Sequence, residues 1–160
     1  MATLYSSQYQ DAYQDVPSDK INSPDFNGRV HIAYFEYTIT AAPTNGDVLK
    51  LLKLPKHARV LDLHIAAPDL GTAGSLNIGW AASAELDSAG AAVEAADADG
   101  FMAAVDVNAA AAIQNMADVS GAATPGYLKK FSAEVDVQID IATAWTVTSG
   151  TIKGYIEFAL

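Results

Sequence analysis

A chain of 160 residues, 51% hydrophobic and carrying a formal charge of −10, is long enough for one domain with a real core. It is too acidic to favour a phosphate backbone, so nucleic acid is not expected as a partner. It has no cysteine, no apolar run near the ~18 residues of a membrane span, and no basic-then-apolar signal peptide at its start. A soluble protein without disulfides, thiolate chemistry or a membrane partner is expected.

Residues 1–28 differ from the rest. They are polar, with Tyr5, Tyr9 and Tyr13 spaced four apart, and Pro17 and Pro24 oppose a stable helix. Two readings stand: a disordered tail, or an extended N-terminal arm that orders on a neighbour and buries its tyrosines there. Residues 29–160 read as one β-sandwich domain. Val30 to Thr40 is rich in aromatic and β-branched residues, with Phe35, Tyr37 and Ile39 on its inner face. Asn45-Gly46 marks a turn into a second strand, Val48 to Leu54. The stretch Lys53 to Trp80 is the centre around which the other strands can pair. Alternation from Ala58 to Ala66 places Leu61, Leu63 and Ile65 inward and Val60, Asp62 and His64 outward; Leu76, Ile78 and Trp80 resume the period.

The segment Ala81 to Gly126 is alanine-rich and acidic. Asp97-Ala-Asp-Gly-Phe-Met-Ala-Ala-Val reads as a short helical turn capped by Asp97 or Asp99, and Ala109 to Met116 as a strand or a helix. Ser132 to Ala142 then alternates without a break, with Val135, Val137, Ile139 and Ile141 inward. Thr151 to Leu160 does the same, with Ile152, Ile156 and Phe158 inside; Gly154 leaves room for a large neighbour such as Trp80 or Trp145. Six clear strands, two more in the middle and no long amphipathic helix point to an all-β, antiparallel β-sandwich of jelly-roll type.

No catalytic motif stands out. His57 and His64 flank one strand, there is no G-x-S-x-G elbow, and Gly71-Thr-Ala-Gly74 lacks the spacing and lysine of a phosphate loop. Asp62 and His64 form a neutral surface pair on this reading. No enzyme, cofactor or metal site is expected. Charge, however, is polarised. Val60 to Leu128 contains no Lys or Arg, while Lys50, Lys53, Lys56 and Arg59 gather just before it. Tyr5, Tyr9, Tyr13, Lys53, Lys56 and Arg59 are therefore the candidate partner-binding residues.

The runs N-G-D-V-L-K-L, L-P-K-H-A-R-V-L-D, D-L-G-T-A-G-S-L-N-I-G, A-D-A-D-G-F-M-A-A and the closing D-V-Q-I-D-I-A-T-A-W-T-V-T-S-G-T-I-K-G-Y-I-E-F resemble those of small tailed-bacteriophage head proteins. These are the capsid decoration, or cement, proteins and related head proteins. The resemblance spans Val30 to Leu160 and leaves out the arm. It implies a virion structural protein, made in the host cytoplasm, that sits on the outer capsid surface. There it binds the major capsid protein, commonly as a homotrimer. The alternative is a head-fibre or receptor-binding jelly-roll module that recognises a host surface or glycan with its long loops.

Overall fold

The computed structural model describes residues 29–71, 74–107, 112–116 and 125–160. In them the alternating segments become eight strands: β1 Val30–Ile39, β2 Val48–Leu54, β3 Arg59–Ala67, β4 Ser75–Trp80, β5 Asp97–Asp106, β6 Ala112–Asn115, β7 Val135–Thr143 and β8 Gly150–Ala159. They form two antiparallel four-stranded sheets, ordered β1-β8-β3-β6 and β2-β7-β4-β5. Apart from the step from β4 to β5, each connection crosses from one sheet to the other. This is the wiring of a jelly roll, in which two Greek keys share one core.

The core lies between the sheets because period-two strands can bury only one face each. Phe35, Leu63, Ile65, Ile156 and Phe158 from the first sheet meet Leu76, Ile78, Val137 and Ile139 from the second. Each such side chain removed from water contributes about 1.5–3 kcal/mol. β1 and β8 pair through ten consecutive residues, from Val30↔Ala159 to Ile39↔Gly150, with no shift in register.

Three expectations need correction. Val60 is buried and Leu61 only half-buried. The register against β8 slips between Val60 and Asp62, so Leu61 is the extra residue of a β-bulge and the inside–outside assignment reverses before it. Leu63, Ile65 and the outward Asp62 and His64 stand as expected. Second, Asp97–Asp106 is strand β5 rather than a capped helical turn. Its period is broken by two register shifts against β4, and Ala104 takes φ +49° at one of them, its N–H donating to Asn77 Oδ1 at 2.8 Å. Third, Gly154 makes room for Phe35, not for a tryptophan. A Cβ there would lie 2.3 Å from Phe35 Cζ and 2.2 Å from the His64 carbonyl oxygen. The ambiguous mid-chain segment contains β6, a short strand.

Candidate interaction surface

The outward positions of β1, β8, β3 and β6 form one continuous face. Antiparallel register brings Tyr34 opposite Tyr155, Tyr155 opposite His64, and His64 opposite Asn115. Directly opposed residues on neighbouring strands have Cβ atoms about 4.5–5.5 Å apart, close enough for rings to touch. The His64 and Tyr155 rings stack at 4.6 Å with an 18° tilt, and Tyr34 packs on Tyr155 at 5.9 Å. Asp62 Oδ2 lies 2.9 Å from His64 Nε2 and orients the imidazole.

This row ends on the edge strand in exposed apolar groups. Tyr34 is 75% exposed, Val30 57% and Ile32 48%. All three are outward residues of β1, so they form a contiguous strip rather than scattered points. Lys153 pairs with Glu36 at 3.3 Å beside it, Asp62 contacts His64, and Glu157 stands opposite both Ile32 and Asp62.

The basic stretch before β3 is arranged differently. Lys53 Nζ bonds Glu134 at 2.8 Å and lies 3.7 Å from Asp136, which also holds Lys50. Lys56 pairs with Glu85 at 2.9 Å, and Arg59 donates to the Leu128 carbonyl at 3.2 Å. Hydrogen bonding to Glu134 raises the Lys53 pKa, and hydrogen bonding from Lys50 lowers that of Asp136. Lys50 and Lys53 share a groove with Glu85, Glu134 and Asp136. What looks in the sequence like a positive patch is an alternating charge lattice. Tyr5, Tyr9 and Tyr13 lie outside the described residues.

A third cluster stiffens the β4–β5 excursion. Trp80 meets Phe101 and Phe131 edge-on, at 5.0 and 5.1 Å, and its Nε1–H donates to the Ala95 carbonyl. Lys129 lies over both Trp80 and Phe131 and pairs with the buried Glu94 at 2.9 Å. Burial pushes the Glu94 carboxyl up. The Ser132 backbone N–H at 2.6 Å and Lys129 outweigh that and hold it below the ordinary range. Among the described residues no group of three His, Asp or Glu side chains is placed to hold a metal ion.

Sequence reasoning identified the pair Asp62–His64 but missed the aromatic row that contains it. Each ring sits on a different strand, and only the register joins them.

Strand order and surface together define an eight-stranded jelly roll that presents an aromatic sheet face. The chain matches no protein-family model and no curated protein sequence. Its fold is similar to that of a chain in the capsid of Ralstonia phage GP4, with 23% identity, 86% of this chain and 87% of that chain covered, and a TM-score of 0.62. It is also similar to a chain in the cyanophage Pam1 capsid asymmetric unit, with 19% identity, 84% and 87% coverage, and a TM-score of 0.53. At these identities the likeness is one of fold.

Proposed function

We propose that this protein is a structural component of a phage virion that sits on the outside of the capsid, binds the major capsid protein and strengthens the shell as a homotrimer. The observation that carries this reading is the fold match itself. It covers 87% of the capsid chain and 86% of this one, so most of the fold is shared. The aromatic strip of β1 and β8 supplies a contact surface of the right kind, with exposed tyrosine and aliphatic groups. A charge of −10 favours an outer position over one facing packaged DNA. Symmetric repetition multiplies weak contacts into firm attachment. Residues 1–28, through Tyr5, Tyr9 and Tyr13, and the turn carrying Lys53, Lys56 and Arg59 form a second contact on this reading.

The test is co-sedimentation of the purified full chain with shells that lack it, with imaging of the decorated particle. Saturable binding with density on the outer surface is expected. Failure to bind shells, or density inside them, overturns the proposal.

A further inference from the structure

An open edge strand is a template for further pairing unless something blunts it. Three of the four sheet edges here are blunted. β6 is four residues long. β2 carries the exposed Lys50 and Lys53 and a bulge between Lys50 and Leu52. β5 is interrupted by two register shifts and by the left-handed Ala104. β1 has none of these devices. Its ten residues include no Lys, Arg, Pro or Gly, and its pairing with β8 has no shift. Among the described residues β8 is its one sheet neighbour.

The chain just upstream has the make-up of the missing cover. The described residues begin at Arg29, so the preceding segment, Lys20-Ile-Asn-Ser-Pro-Asp-Phe-Asn-Gly28, joins β1 at the end of this edge. Asp25-Phe26-Asn27-Gly28 has Asp at the first and Gly at the fourth place of a type I turn. Gly28 can take the positive φ that closes a three-residue hairpin loop. Such a loop sets Asp25 opposite Arg29 and fixes the register beyond it. Pro24 falls opposite Val30 in a pair that exchanges no hydrogen bonds, where a residue without an N–H is tolerated. Ile21 falls opposite Ala33, in the inward phase that also holds Phe35. Lys20 falls opposite Tyr34 and diagonal to Glu36, a match for both ring and carboxylate. One step further, Asp19 would meet the inward Phe35, so the pairing ends at Lys20. Pro24 and Lys20 are the guards that β1 lacks.

We propose that residues 20–25 fold back within the same copy and pair antiparallel with residues 29–34, a guarded strand that closes the open edge of the first sheet. The strip of Val30, Ile32 and Tyr34 keeps its outward face free. A partner then meets this face through side chains and not by adding a strand to β1. Residues 1–19, with Tyr5, Tyr9 and Tyr13, lie beyond the added strand. The inference stands whether or not the sheet face attaches to a shell.

The chain has no cysteine, so thiols can be introduced in pairs without interference. Asn22→Cys with Ile32→Cys sets two thiols directly opposite each other in a pair without hydrogen bonds, within reach of a disulfide. Asn22→Cys with Ala33→Cys is one residue out of register and points the thiols to opposite faces. Both are made in the full-length protein and oxidised mildly. The first is expected to close within single chains, roughly tenfold faster than the second. In the parent chain the His31 and Ala33 amides, which face the added strand, should exchange slowly with deuterium. Gly28→Val strains the left-handed loop position and should speed both about tenfold. Free thiols in the first variant, or equal closure of the two, overturns the proposal. A disulfide between chains on a non-reducing gel assigns the edge to a second copy and overturns the pairing within one copy. Unprotected His31 and Ala33 amides, or protection that ignores Gly28→Val, overturns it as well.

Discussion

The His64 imidazole lies flat on the Tyr155 ring, 4.6 Å centroid to centroid, although the two residues are ninety-one positions apart in the chain. Asp62 fixes the imidazole from below, and Tyr34 continues the row to the edge strand. The stack makes Tyr155 a fixed platform, whereas Tyr34 projects into solvent.

Tyr34 and Ile32 therefore separate binding from stability. Tyr34→Ala and Ile32→Ser should each change unfolding free energy by no more than about 1 kcal/mol, since neither residue is buried and Tyr34 gives up only its cross-strand contact with Tyr155. If the face is the contact surface, the double variant should lose at least tenfold in shell affinity. Chemical denaturation and co-sedimentation on the same preparations check both halves.

Glu94 should be one of the least replaceable charged residues. Its carboxylate is buried, takes the Ser132 N–H and pairs with Lys129. Glu94→Ala leaves both partners behind and should cost about 2–4 kcal/mol; Glu94→Gln keeps an acceptor for Ser132 and should cost about half as much. Urea midpoints measure the order.

Acid acts on two carboxyl groups with opposite signs. The Glu94 pKa is held low, so its contribution is present above the unfolded carboxylate value and is lost as pH falls through the folded one. Burial, and after it contact with Asp99, raises the Asp97 pKa. Its contribution is present below the unfolded value and is lost as pH rises through the folded one. Asp97→Asn should accordingly stabilise the protein at neutral pH by at most about 1 kcal/mol, with the gain vanishing in acid. Denaturation curves at neutral pH and near pH 3 test this directly.

Two backbone positions should respond in opposite directions. Gly154→Ala places a methyl group 2.2 Å from the His64 carbonyl oxygen and should destabilise by about 3 kcal/mol or more, or prevent folding. Ala104→Gly relieves a residue held at φ +49° and should stabilise by about 0.5–1 kcal/mol. Thermal midpoints of the two variants against the parent chain decide both.

Much of this fold can be read from the chain because β1, β7 and β8 alternate with few defects, and alternation is what a sheet with one buried face requires. The eight-stranded count and jelly-roll wiring obey the same logic. What escapes the pattern is local. The bulge at Leu61 shifts the period by one residue and so makes Val60 look exposed. In β5, Gly100 yields space to the Trp80 ring, and two register shifts scatter the inward Phe101, Met102 and Val105. No single-strand pattern encodes those contacts. The candidate face escapes for another reason: Tyr34, His64 and Tyr155 meet only once cross-strand register is set. The acidic neighbours of the lysines escape for the same reason, because Glu134, Asp136 and Glu85 are remote in the chain and adjacent in space.

The place of β8 has a consequence for synthesis. This last strand in chain order lies between β1 and β3. Until residues 150–159 have left the ribosome, the first sheet has a gap at its centre, and contacts this distant in sequence close slowly. A chain that stops before residue 150 would lack Tyr155, the sheet neighbour of β1 and one of the two neighbours of β3 at once. It could not display the aromatic row at all. The surface that we propose joins the particle is thus absent from any copy that stops short of residues 150–159.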